Sequence, residues 1–202
     1  MKKNLIIFIG MLLFLTVGCS SSDKKIEPIV PAPEMSDSEY TKLIESQTQN
    51  KKEYSGLHNK FDLSATLLTS ALGAAELDRK RFFFQWDNEK TKKEREKYFQ
   101  EKSSSTRFFI SFFSPDKELR NLHRPQSLWK IYLEYNGKVY SGKIIKSTET
   151  FFLLKKIYPH HTKWGTPYFA SFDVPTTVIE KSKSKLVLTS SAGKAIFKYE
   201  FN

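Results

Sequence analysis

Residues 129–140 read WKIYLEYNGKVY, and this stretch carries a strong signal for antiparallel β structure. Its apolar residues occupy alternate positions, as in a strand that buries one face: Trp129, Ile131, Leu133 and Tyr135. Asn136-Gly137 then supplies two residues that tolerate positive φ angles, which the type I′ turn of a hairpin requires. The stretch therefore predicts a β-hairpin, with residues 139–146 as the return strand.

Further strands are predicted on both sides of this hairpin. Residues 106–113 place Phe108, Ile110 and Phe112 on one face. The remaining candidates are residues 151–157, 168–174, 185–190 and 194–201, the last two forming a closing hairpin. Seven short strands in about 100 residues are typical of an antiparallel sandwich of immunoglobulin-like size. We expect eight side chains to form its core: Phe108, Ile110, Trp129, Ile131, Leu133, Phe172, Leu188 and Phe197.

Residues 37–103 instead favour helix. Ser36 and Glu39 have the spacing of a capping box, in which each side chain satisfies a backbone N–H of the first helical turn. Apolar residues follow at helical spacing, and no proline occurs between Pro33 and Pro115. The predicted fold class is α+β, with a helical segment (residues 37–103) followed by a C-terminal antiparallel β-sandwich (residues 104–202).

The first 18 residues have the features of an export signal. Lys2 and Lys3 precede an apolar run from Leu5 to Leu15. As a helix this run would be about 16 Å long, roughly half the hydrocarbon thickness of a bilayer, so it suits a signal peptide better than a membrane span. Leu15-Thr16-Val17-Gly18-Cys19 resembles the lipobox of bacterial lipoproteins, although Thr16 stands where an aliphatic residue is usual.

This resemblance implies removal of residues 1–18 and acylation of Cys19, which would anchor the chain in a membrane of the cell envelope. Two or three acyl chains give stable anchoring. Ser20 follows the cysteine, which in a cell with two membranes favours the outer one. Residues 19–36, which contain three prolines, are predicted to form a flexible tether.

The charge distribution suggests which partners to consider. The chain has 202 residues and a formal net charge of +11, and its single cysteine excludes an intrachain disulfide. Residues 37–103 hold 13 basic and 12 acidic residues, whereas residues 104–202 hold 16 and 7. A basic C-terminal part would attract an anionic membrane surface, an acidic glycan or a negatively charged envelope protein. Export argues against nucleic acid as the partner.

No familiar catalytic motif is present in the sequence. HExxH, paired CxxC, GxSxG and the phosphate-binding glycine loops are all missing, so we predict no catalytic residue, no cofactor and no metal site. The sequence favours a non-enzymatic envelope lipoprotein with a binding, structural or assembly role. The alternative is an envelope enzyme of unrecognised type, for which a deep pocket with histidine and carboxylate side chains would be evidence.

The candidate binding residues are Lys155, Lys156, Lys163 and Trp164. The last two lie in a segment bracketed by Pro159 and Gly165, and loops on a rigid scaffold commonly carry recognition residues. Tryptophan would supply contact area, and the lysines long-range attraction. In the alternative interpretation Trp164 packs into the end of the sandwich core, and the lysines only keep the surface soluble.

The lipoprotein resemblance is tested by Cys19→Ala. We expect this variant to lose metabolic labelling with fatty acid and to accumulate as uncleaved precursor, because both acylation and cleavage require the cysteine. Wild-type protein labelled in parallel is the control. Normal processing of the variant, with retention in the detergent-extracted membrane fraction, would contradict the lipoprotein interpretation.

Overall fold

The computed structural model describes residues 30–200, which form a mixed α+β fold; residues 1–18 and Cys19 lie outside the described residues. Within this range there are nine strands and five α-helices, and a 3₁₀ turn at Glu118–Arg120. In chain order they are α1 (Asp37–Ser46), β1 (Thr48–Ser55), β2 (His58–Leu67), α2 (Ser70–Phe83), α3 (Asn88–Ser104), β3 (Thr106–Phe113), β4 (Lys130–Tyr135), β5 (Lys138–Ser141), β6 (Lys143–Lys146), α4 (Phe151–Ile157), β7 (Thr166–Phe172), α5 (Thr176–Ile179), β8 (Ser184–Ser190) and β9 (Gly193–Tyr199).

The strands form two antiparallel sheets that share one core. The five-stranded sheet has the order β1-β2-β3-β7-β6, and the four-stranded sheet has the order β5-β4-β8-β9. Inward side chains of both sheets interdigitate in a single hydrophobic cluster, as in a β-sandwich. The eight side chains predicted for this core are at most 5% exposed. The turn between β4 and β5 also matches, since Asn136 and Gly137 have φ angles of 46° and 73°.

Both open sides of the sandwich are bridged. On one side the chain passes from β5 to β6 through Gly142, and so from one sheet to the other. A Cβ at Gly142 would lie 2.6 Å from the Phe172 ring and 2.7 Å from Ile131, so only glycine fits this bend. On the other side, the Gln49 side chain of β1 accepts from Lys198 N of β9 at 3.1 Å and donates to Lys198 O. These links make the sandwich resemble a flattened barrel.

A second core lies on the outer face of the five-stranded sheet. Phe109 projects from β3 toward the helices and stacks on Tyr158, just after α4, with ring centroids 3.7 Å apart and planes within 3° of parallel. Leu68, just after β2, and apolar residues of three nearby helices complete this cluster; the helical residues are Tyr40, Ile44, Leu72, Leu153, Leu154 and Ile157. The helices therefore cover the sheet as a layer and do not form a separate domain.

The prediction of a helical segment over residues 37–103, as one helix or several, is wrong between residues 48 and 67, where β1 and β2 form a hairpin. On β2, Phe61, Leu63 and Ala65 alternate into the sandwich core, which is a period of two and not of 3.6. β2 also pairs with β3, from Asp62 opposite Phe113 to Leu67 opposite Phe108. The five-stranded sheet therefore crosses the predicted boundary at residue 103.

Two of the predicted strands also differ from the structure. Residues 151–157 form α4, because the Thr150 side chain caps the helix by accepting from Leu153 N at 3.4 Å, and Leu153, Leu154 and Ile157 lie on one helical face. Residues 139–146 do not form one return strand, since Gly142 divides them into β5 and β6. The number of strands after residue 104 is still seven, because one predicted strand is a helix and another is divided into two strands.

The predicted tether is shorter than residues 19–36. Val30 is buried, and its N–H donates to Gln85 Oε1 at 3.2 Å. Further along, Arg81 Nη2 donates to Pro31 O at 3.2 Å, and Glu34 N donates to Asp78 Oδ2 at 2.8 Å. Residues 30–36 therefore pack along α2 as part of the folded body.

Trp129→Ala tests the sandwich core. The Trp129 indole makes edge contacts with Phe61 and Phe112, and its Nε1 donates to Leu119 O at 3.1 Å. We expect the free energy of unfolding to fall by about 3–5 kcal/mol in urea titrations followed by circular dichroism, because truncation leaves a cavity and an unpaired carbonyl. Leu128→Ala is the control, since the neighbouring side chain is 55% exposed. Equal stabilities of the two variants would contradict this core.

Candidate binding surface

α4 is an amphipathic helix that buries one face and presents lysines and phenylalanines on the other. Leu153, Leu154 and Ile157 face the second core. The opposite face is solvent-exposed and consists of Phe151, Phe152, Lys155 and Lys156. Phe152 is 73% exposed, although burial of a phenylalanine is worth about 1.5–3 kcal/mol. This face therefore leaves apolar area available to a partner.

Lys163 and Trp164 add a second exposed pair in the segment after α4. Trp164 is 66% exposed, and Lys163 Nζ lies 4.8 Å from its ring centroid. Lys156 Nζ lies 5.9 Å from the ring of Phe152. Both are cation–π distances, so the lysines and aromatic rings form mixed units and not separate charged and apolar areas.

The segment that carries Trp164 is held against the outer face of the five-stranded sheet. Tyr158 is stacked on Phe109 as described above. His161 Nδ1 lies 2.7 Å from Ser111 Oγ, and His160 Nε2 lies 3.2 Å from Thr66 Oγ1. These contacts hold residues 158–161 on β2 and β3, and so fix the start of the segment that carries Lys163 and Trp164.

The structure thus places all four predicted binding residues on the surface. α4 and the following segment meet where the Phe151 ring lies 5.9 Å from the His161 ring and Lys155 Nζ donates to Pro159 O. The interpretation that buries Trp164 in the core is wrong, since this side chain is exposed. We call this region the aromatic-basic surface and define it by six residues: Phe151, Phe152, Lys155, Lys156, Lys163 and Trp164.

Sequence reasoning missed Phe151 and Phe152 because it assigned them to a strand, in which successive side chains point to opposite sides. The available signal was Thr150 followed by FFLLKKI, a helix N-cap followed by apolar and basic residues at helical spacing. Read in this way, the two phenylalanines and two lysines share one helical face.

The two histidines beside this surface are structural groups. Burial, together with the nearby Lys155 charge, lowers the pKa of both His160 and His161 to about 4, and His161 also lowers the pKa of His160. Both are therefore neutral near pH 7 and hydrogen-bonded to hydroxyl groups. Among residues 30–200 no group of three or more histidine, cysteine, aspartate or glutamate side chains could hold a metal ion.

A buried polar network connects the C-terminal end of α4 to α2. Tyr158 Oη donates to Glu76 Oε2 of α2 at 2.8 Å, and Lys80 Nζ lies 2.6 Å from Glu76 Oε1. Burial and the Glu76 charge raise the pKa of Tyr158 well above 10, so its hydroxyl remains a donor. The Glu76 charge also raises the pKa of Lys80, which keeps the Lys80 ammonium charged.

Comparison of the chain with known protein families, curated proteins and solved structures finds no match. Within the described part of the chain, no helix combines the length and apolar character needed to cross a membrane. Function is therefore inferred from the residues and geometry of this chain.

The buried histidines predict a loss of stability in acid. Their pKa of about 4 in the folded protein lies below the ordinary value of 6.5, so between these values the unfolded chain binds protons that the folded protein does not. The free energy of unfolding is therefore unaffected by protonation of the two histidines above pH 6.5. It falls as the pH drops toward 4, by at most about 1.4 kcal/mol per pH unit for each histidine.

The measurement is urea unfolding of wild type, of His160→Gln with His161→Asn, and of His58→Gln, at pH values from 7.5 to 4.5. Glutamine and asparagine place a polar atom near the ring nitrogen that bonds Thr66 or Ser111. We expect a shallower pH dependence for the double variant and a wild-type dependence for His58→Gln, whose side chain is exposed. Parallel curves for wild type and the double variant would contradict the assignment.

Proposed function

We propose that the protein is a lipid-anchored bacterial envelope protein with a binding role and no catalytic one. The lipobox-like sequence ending at Cys19 supports the anchor. The rigid scaffold supports binding, because the exposed side chains lie on a short helix and a segment that β2 and β3 hold in place. The alternative role as an enzyme receives no support from His160 and His161, whose side-chain hydrogen-bond partners are the hydroxyl groups of Thr66 and Ser111.

We propose that the aromatic-basic surface binds an anionic membrane surface of the envelope. The observation that carries this proposal is the interleaving of three exposed lysines with three exposed aromatic rings. Lysines near an anionic bilayer contribute about 1 kcal/mol each, and aromatic side chains favour the headgroup region. The surface contains no acidic residue, so nothing within it would repel lipid phosphates.

The residues between the anchor and the folded body allow this contact. Residues 19–29 are 11 residues, which can span at most about 40 Å when fully extended. A body on so short a connection stays near the bilayer, where even weak surface contacts are occupied because the effective concentration is high. The surface would then orient the body on the membrane, leaving other faces free for envelope partners.

The experiment measures sedimentation with vesicles of phosphatidylglycerol and phosphatidylcholine over a salt series. It uses residues 19–202 with Cys19→Ser, so that acyl chains do not contribute. We expect Lys155→Glu, Lys156→Glu and Lys163→Glu together to weaken binding at least about a hundredfold at low salt, since three lysines contribute about 3 kcal/mol. Trp164→Ala should weaken binding while leaving its salt dependence unchanged.

The matched control is Lys117→Glu, Lys130→Glu and Lys138→Glu, three exposed lysines outside the aromatic-basic surface that give the same change in net charge. Binding by this control should remain much stronger than binding by the first triple variant. Equal losses in the two triple variants, or no binding by wild type at low salt, would overturn the proposed surface. The Cys19→Ala experiment tests the lipid anchor separately, and its outcome does not depend on these results.

A further inference from the structure

A cleft of about 330 Å³ lies between α2, α3, the start of β3 and the segment that follows β6. It is separate from the aromatic-basic surface, none of whose six residues lines it. Small-molecule sites in proteins typically measure about 300–1,000 Å³. The cleft therefore suits one small ligand and is too small for a folded partner.

The lining of the cleft is partly apolar and aromatic. The residues of this kind come from six different parts of the fold: Leu68, Leu77, Trp86, Tyr98, Ile145 and Phe169. Arg107 lies with its guanidinium carbon 5.0 Å from the ring centroid of Phe169. Rings from separate elements that converge on one opening provide stacking area for an apolar ligand body.

The charges around the cleft do not balance. Three of its four carboxylates already have ion-pair partners: Glu76 with Lys80 at 2.6 Å, Glu94 with Lys90 at 2.6 Å, and Glu101 with Arg107 at 2.9 Å. Among residues 30–200, the lining lysines Lys97, Lys102 and Lys146 have no ion-pair partner. The lining therefore has three lysines without a salt-bridge partner among the described residues against one remaining carboxylate, Glu149, and favours an anion.

Lys102 is unusual among these lysines because it is buried. Its side chain is 7% exposed, and its Nζ has no hydrogen-bond partner within the described residues. The ammonium lies 4.9 Å from the centroid of the Tyr98 ring, and burial lowers the pKa of Lys102 to about 8 although the Glu180 charge opposes this shift. A buried cation without an acceptor is costly, and a ligand oxygen would remove that cost. Lys102 is one of the residues that line the cleft, so a ligand bound there lies beside this side chain.

The cleft also lies close to the point where the chain continues toward Cys19. Trp86 lines the cleft, and the preceding residue, Gln85, accepts the N–H of Val30. Phe84 is 50% exposed and stacks on Trp86, with ring centroids 6.1 Å apart. If the chain is anchored at Cys19, as the proposed function states, Val30 lies at most roughly 40 Å from the membrane, the span of 11 extended residues, and the nearby cleft is within reach of membrane amphiphiles.

We propose that this cleft binds one small anionic amphiphile, with its carboxylate or phosphate on Lys102 and its apolar body against Trp86 and Phe169. A fatty acid and a lipid phosphate share this chemistry. The nearness to the membrane rests on the proposed anchor, whereas the recognition chemistry depends only on the lining residues.

The probe is 8-anilinonaphthalene-1-sulfonate, an anion with an aromatic body, and its fluorescence is measured with residues 19–202 carrying Cys19→Ser. Both hydrophobic cores lie beyond residue 30, so the signal peptide is not needed for them. We expect saturable binding at one site and displacement by laurate and dodecyl phosphate, but not by dodecyltrimethylammonium. Lys102→Met should weaken binding about tenfold, whereas Lys92→Met, an exposed position on α3 outside the cleft, should not.

The aromatic-basic surface is the competing site for this probe. The triple variant at Lys155, Lys156 and Lys163 should therefore bind it like wild type, and loss of binding in that variant would overturn the proposal. No saturable binding by wild type, equal displacement by the cationic amphiphile, or unchanged binding by a folded Lys102→Met protein would overturn it too. Displacement of the probe by glycerol 3-phosphate would identify the phosphate headgroup as the recognised part of the ligand. Displacement by laurate but not by dodecyl phosphate would identify a fatty acid as the ligand. The vesicle experiment on the surface is unaffected by any of these results.

Discussion

The stack between Phe109 and Tyr158 is the contact on which the arrangement of the helices depends. β3 is buried on both faces, with Phe108, Ile110 and Phe112 in the sandwich core and Phe109 on the other side. An exposed phenylalanine at the centre of a sheet would be unfavourable, and the Tyr158 ring covers it at 3.7 Å. Because Tyr158 directly follows α4, this contact sets where the helix ends and where the next segment begins.

The same contact connects the two candidate sites. The Tyr158 hydroxyl donates to Glu76, a residue that also lines the cleft beside α2. On the other side, the histidines after Tyr158 bond to Thr66 and Ser111 and hold the segment that presents Trp164. A change at the stack would therefore disturb both the aromatic-basic surface and the cleft, so substitutions at the periphery of each site are better probes than substitutions at the stack.

The sequence predicted the sandwich core better than the elements around it. The alternation in residues 106–113 and 129–135 identified strands whose inward residues are buried as expected, and Asn136-Gly137 identified their turn. In contrast, residues 48–67 were assigned to helix from the spacing of Tyr54, Leu57 and Phe61, although Phe61, Leu63 and Ala65 alternate as in a strand. Pairing with β3, more than 40 residues away in sequence, stabilises the strand. Local sequence does not contain that partner.

By itself, the sequence determined the local features of this protein: the strand periodicities, the hairpin turn, the basic C-terminal part and the lipobox-like segment at Cys19. Only the tertiary structure decided that β2 joins β3, that residues 151–157 form a helix covering a sheet, and that Lys102 lacks an acceptor among the described residues. The reason is physical. Periodicity and turn preference arise between residues a few positions apart, whereas burial and exposure depend on which distant segments pack together. Phe61 and Phe152 are the same residue type, and long-range packing places one in a core and the other on the surface.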